Sequence, residues 1–131
     1  MTTKNKRFLK KIHLVISVLI VVPVAFIYGF NPSSEFDIQL QTIDEHNQFK
    51  AIMGLYLSFS ILWILGILNS NYLKLALVTN VIFMLGLASG RLLGIFLDGI
   101  PTDPYIYGII GEFVLGFYGL WVLKRLYLKK Y

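Results

Sequence analysis

The chain contains no cysteine. Disulfide structure, thiol redox chemistry and thiolate metal sites are thereby excluded. The quinone-linked disulfide-forming enzymes, which are also small four-helix membrane proteins, go with them. Charge is scarce too, at 15% of 131 residues, against roughly a quarter in soluble domains. Of the four prolines, only Pro23 falls inside a long apolar run. No Walker loop, G-x-S-x-G or H-E-x-x-H motif occurs, so no standard nucleotide or hydrolytic chemistry is indicated. His13 and His46 stand alone, without acidic partners at ligand spacing, and neither a metal nor a cofactor is expected.

What the chain does have is apolar sequence, 56% of the whole. Crossing a bilayer takes about 17–25 mostly apolar residues. Four runs qualify, at about 12–30, 51–68, 75–97 and 105–123. Lipid cannot satisfy free backbone groups, so all four are expected to be helices. The expected fold is all-α: a four-span transmembrane helix bundle forming one membrane domain, 1–131, with an outer segment over 31–50. Pro23 disposes the first span to kink. That span exceeds the apolar core of a signal peptide, and Ala25-Phe26-Ile27-Tyr28-Gly29 lacks a small-x-small cleavage site, so an uncleaved anchor is expected.

The formal charge of +5 would suit nucleic acid, but its distribution points to a membrane instead. Lys4, Lys6, Arg7, Lys10, Lys11, Lys74, Lys124, Arg125, Lys129 and Lys130 fall on one side of a four-span arrangement. Glu35, Asp37, Asp44, Glu45, Asp98 and Asp103 fall on the other. The positive-inside rule places both termini in the cytoplasm of a bacterial cell, the protein being multi-pass in the inner membrane. So complete a sorting implies one fixed orientation. It counts against the small multidrug exporters, whose weak charge bias permits antiparallel dimers.

In the outer segment, Pro32-Ser33-Ser34-Glu35 reads as a helix start. Phe36, Leu40 and Ile43 then follow at helical spacing, while Phe36, Ile38 and Leu40 alternate as in a strand. A surface segment resting on the bundle is expected, with a lid as the sharper alternative. The turn-rich loop Asp98-Gly99-Ile100-Pro101-Thr102-Asp103-Pro104 makes the third and fourth spans a tight hairpin.

Two spans carry one ionisable residue each, Arg91 in the third and Glu112 in the fourth. Charge inside a membrane is costly enough to require a reason. Arg91 precedes Asp98 by seven residues and Glu112 follows Tyr105 by seven. Both therefore lie about 10 Å below the outer surface, at 1.5 Å per residue. Equal depth on antiparallel neighbours predicts an ion pair. Gly108, Glu112, Gly116 and Gly119 share one face of the fourth span, and Gly86, Gly90 and Gly94 form a stripe on the third. With Gly54 these are candidate helix-packing positions, within the chain or between copies in an oligomer. Asn80 reads as an interhelical hydrogen bonder, and the span-end tyrosines, Tyr28 and Tyr56 among them, as interface anchors. On the second span Asn47, Lys50, Gly54 and Ser58 line one face. If Lys50 points inward, Asn47, Lys50, Arg91 and Glu112 make a cationic outer site, suited to an anionic small molecule or lipid headgroup.

Asn47-Gln48-Phe49-Lys50-Ala51-Ile52-Met53-Gly54-Leu55-Tyr56, Gly90-Arg91-Leu92-Leu93, Asp98-Gly99-Ile100-Pro101 and Glu112 resemble an uncharacterised family of small bacterial four-helix membrane proteins. That family is known as a domain of unknown function and is distantly similar to DoxX-like proteins. The resemblance covers about 44–123. It implies an arginine where this chain has Lys50, and often a serine where it has Gly94. A lysine keeps the charge but loses bidentate binding.

The leading expectation is an integral membrane protein of non-enzymatic, structural or partner-binding function, whose Arg91–Glu112 pair holds helices together. The alternative is a small-molecule or lipid-headgroup binder or carrier with an outward-facing cavity. That reading requires a pocket reaching Arg91, whereas a closed, dry pair would oppose it. An enzyme using Glu112 as base lacks any second catalytic partner in the sequence.

Overall fold

The computed structural model describes residues 2–128. Helices α1 (Thr3–Phe30), α2 (Ile43–Leu68), α3 (Leu73–Asp98) and α4 (Asp103–Leu123) make up most of them, the last continued by a π-helical segment, Lys124–Leu128. No strand occurs among the described residues. All four helices are long and apolar enough to cross a membrane. Lys129 and Lys130 lie outside the described residues. Helix α1 runs unbroken through Pro23, which sits on its exposed face.

Helix α2 begins about two turns before its apolar stretch because Thr42 and Glu45 form a capping box. The Thr42 hydroxyl accepts from the Glu45 amide at 3.2 Å, and the Glu45 carboxylate accepts from the Thr42 amide at 3.0 Å. Two amides that the first helical turn would otherwise leave unpaired are satisfied this way. Thr42→Ala is expected to cost about 1 kcal/mol, read as a lower midpoint of thermal unfolding in detergent.

The segment between α1 and α2 departs from the helical expectation. Only Pro32–Ser34 forms a 3-10 turn. Beyond it Phe36, Ile38 and Leu40 are half-buried, Glu35, Asp37 and Gln39 are exposed, and Ile43 is 88% exposed. The period-two burial prevails because a bent, non-helical strap can lay alternate side chains on the bundle, whereas a helix would need a wider apolar face than three residues provide.

Sequential neighbours pack antiparallel, most extensively α1 with α2 and α3 with α4, while α1 meets α3 and α4 more lightly. Leu14, Ala25, Trp63, Ala76 and Leu77 are fully buried at the centre, with Trp63 edge-on to Phe83 at 5.1 Å between ring centroids. Lys11 Nζ donates to the Ile67 carbonyl at 2.8 Å, and the Tyr118 hydroxyl donates to the Leu9 carbonyl at 2.7 Å. The start of α1 and the ends of α2 and α4 thus share one end of the bundle. Lys4 to Lys11, Lys74, Lys124 and Arg125 gather there, while Glu35, Asp98 and Asp103 lie at the other end.

The glycines divide into two kinds. A Cβ on Gly116 would run into Leu85, and one on Gly119 into Val81 and His13. Gly29 against Met53, and Gly66 against Ala76 and the Tyr72 carbonyl, are close approaches that the sequence pattern did not single out. Gly54, Gly86, Gly90 and Gly94 have nothing within 4 Å of where a Cβ would stand. Gly54, Gly86 and Gly90 are exposed and face away from the bundle, whereas Gly94 is half-buried; none of the four makes a close helix approach within this chain.

Candidate functional site

The α3–α4 hairpin sets the site. Gly99, at φ 106°, takes a backbone conformation that L side chains rarely adopt. The chain therefore reverses in four residues, Gly99 to Thr102. Arg91, two turns before the reversal, and Glu112, in the third turn after it, arrive side by side. Arg91 Nη2 lies 3.3 Å from Glu112 Oε1, with side-chain exposures of 18% and 12%. A Cβ on Gly108 would stand 2.8 Å from Arg91 Nη1, so its glycine lets the guanidinium lie against the α4 backbone. Gly108 and Glu112, four apart, act together: one makes room for the cation and the other neutralises it.

The pair is not confined to the hairpin. Arg91 Nη2 also donates to the Tyr28 hydroxyl of α1 at 3.3 Å, and the guanidinium carbon sits 5.1 Å from the Tyr105 ring centroid. Above it an aromatic cluster packs toward that end of the bundle. Phe36 stacks on Tyr28 at 5.0 Å and meets Tyr105 at 4.6 Å, and Tyr56 meets Tyr28 edge-on at 5.7 Å. Tyr28 and Tyr56 are buried, so they are parts of the site and not interface anchors. No signal in the sequence singles out Tyr28, which stands two residues from the end of its apolar run.

Beside the pair lies a cavity of about 380 Å³, within the range of small-molecule pockets. Val21 and Val24 of α1, Met84 and Leu87 of α3, and Gly111 and Leu115 of α4 contribute its apolar walls. Arg91 and Glu112 are on its wall, and Glu35 of the strap is at its edge. It exists because α1 approaches α4 only lightly and because Gly111, where a Cβ would meet nothing within 4 Å, leaves the space unfilled.

Asn47 and Lys50 are not brought to Arg91. Both are exposed, and Lys50 Nζ lies 5.9 Å from the Phe30 ring. Helix phase explains their position. Phe49, Ile52, Met53 and Tyr56 face the bundle, which leaves Asn47, Lys50, Gly54 and Ser58 on the opposite side. The cavity therefore carries one arginine against two carboxylates, and the expected surplus of positive charge is absent from it.

A second set of polar residues is buried in the other half of the bundle. His13, Ser17, Ser60 and Asn80 are at most 1% exposed. Ser17 and Ser60 donate to carbonyls one turn back, at 2.6 and 2.8 Å. Both ring nitrogens of His13 and both amide atoms of Asn80 have no hydrogen-bond partner among the described residues, so Asn80 does not bond between helices. His13, the second residue of the first apolar run, is buried although Lys10 and Lys11 precede it closely, and tilts against Tyr118 at 5.3 Å. No group of three or more His, Asp or Glu side chains that could hold a metal occurs among the described residues.

Fold and site together define a class: small proteins of four helices long and apolar enough to cross a membrane, with an internal Arg–Glu pair beside a cavity. The chain belongs to the family described as a domain of unknown function, DUF4345, whose model matches residues 9–123. No curated protein and no solved structure matches it.

Proposed function

We propose that this is a multi-pass integral membrane protein that binds a small amphiphilic molecule in the cavity beside Arg91 and Glu112. Basic residues at one end of the bundle and acidic loops at the other support an orientation with both termini in the cytoplasm, by the positive-inside rule. In that orientation the cavity opens toward the outer face of a bacterial inner membrane. The observation that carries the reading is the position of the ion pair: it lies on a cavity wall. An apolar cleft with a few convergent polar groups is the usual form of a ligand site.

The purified full-length chain, released from native lipid, is expected to carry a small-molecule adduct in native mass spectrometry. Gly111→Leu is expected to remove it while leaving the thermal midpoint unchanged or slightly raised. The new side chain fills open space, and a helical glycine is replaced by a better helix former. No adduct in wild type, or one indifferent to Gly111→Leu, would overturn the reading.

A second reading is favoured by the Tyr28 contact. Because Arg91 touches both α4 and α1, the pair also serves as a polar clamp between helices that otherwise meet lightly. The two roles are compatible.

A further inference from the structure

The cavity is a slot, not a closed void. Ile20, Val24 and Ile27 of α1 form one long wall, and Gly108, Gly111 and Leu115 of α4 the other. At its edges Ile20 is 50% and Tyr107 72% exposed, so the slot is open along the bundle's flank as well as at its acidic end. Ile20 stands ten residues below Phe30, roughly 15 Å at 1.5 Å per residue. That is half of a hydrocarbon core about 30 Å thick, the depth of one leaflet.

Charge then narrows the occupant. Among the described residues Arg91 is the one cation lining the slot, and it is already held by Glu112 and the Tyr28 hydroxyl. Lys50 lies on the outward face of α2. This end of the bundle bears Glu35 and Asp37 in the strap and Asp44, Glu45, Asp98 and Asp103 at the helix ends. A field of that sign disfavours a headgroup of net negative charge and gathers cationic groups. Independently, Glu112 Oε2 is buried with no hydrogen-bond partner among the described residues. The Glu112 side chain lines the slot but this oxygen does not face it, so a ligand's donor reaches it only by a small turn of the carboxylate; an ammonium group offers three donors and no acceptor.

We infer that the slot takes an outer-leaflet amphiphile whose headgroup carries a protonated amine, with its alkyl chain between α1 and α4 and its ammonium between Glu112 and Glu35. The inference rests on the binding reading above and names the ligand's chemistry. A phosphatidylethanolamine-type lipid and a free long-chain amine share that chemistry.

The test is competitive binding to the delipidated full-length chain in detergent, read by native mass spectrometry. Phosphatidylethanolamine is compared with phosphatidylglycerol of the same chains, and dodecylamine with laurate. The amine-bearing member of at least one pair is expected to bind roughly tenfold tighter or more. Preference within the phospholipid pair alone marks a lipid source, and preference within the single-chain pair alone a free amine. Glu35→Lys changes an exposed side chain and is expected to reduce the preference severalfold. Equal or tighter binding of both anions, or a preference indifferent to Glu35→Lys, overturns the inference while leaving binding itself intact. If none of the four probes binds in a Gly111→Leu-sensitive way, the binding reading fails along with it.

Discussion

Arg91→Gln is expected to lower the stability of the protein by about 3 kcal/mol, the order of cost found when one partner of a buried ion pair is removed. The change leaves Glu112 Oε1 without its cation, on a carboxylate whose Oε2 already lacks a partner. It also removes the donor to the Tyr28 hydroxyl, loosening α1 from the α3–α4 hairpin. Replacing both Arg91 and Glu112 by leucine should recover much of the loss, because no uncompensated charge then remains. Equilibrium unfolding in mixed micelles of the two single variants and the double variant forms a cycle that isolates the pair's coupling. Unchanged unfolding midpoints in both single variants would show that the pair does not hold the helices.

Gly116→Val should cost about 2 kcal/mol, whereas Gly86→Val should change stability by less than about 0.5 kcal/mol. A side chain at Gly116 meets Leu85 where α3 and α4 are in contact, while one at Gly86 meets nothing. The comparison is informative because both residues sit in small-residue stripes that look alike in the sequence. The same unfolding assay decides it. Equal losses at the two positions would contradict the packing described here.

Much of the architecture was legible because helices long and apolar enough to cross a membrane are written in composition. Four apolar runs separated by polar connections leave few alternatives when every backbone group must be bonded internally. The Arg91–Glu112 contact was legible for a related reason. A tight hairpin with equal spacing on both arms fixes the relative height of two residues, and opposite charges at equal depth have strong cause to meet. The strap was legible only as a choice between two periods, which the burial of Phe36, Ile38 and Leu40 decides.

Rotation about each helix axis is the quantity that sequence pattern leaves open in a bundle that is apolar all round. Gly86 and Gly90 of the α3 stripe and the face Asn47–Lys50–Gly54–Ser58 of α2 point outward. Gly108, Gly116 and Gly119 point inward. Nothing local distinguishes the two cases, since lipid and protein interior are comparably apolar partners. Sequence by itself therefore determined the number of long apolar helices, the segregation of charge between their ends and the Arg91–Glu112 pair. Tertiary packing alone decided that Lys50 stays outside the site and that Tyr28 enters it. It also decided that α1 and α4 leave a slot at Gly111. Those outcomes depend on how each helix is turned toward its neighbours, a property of side-chain fit across the whole bundle.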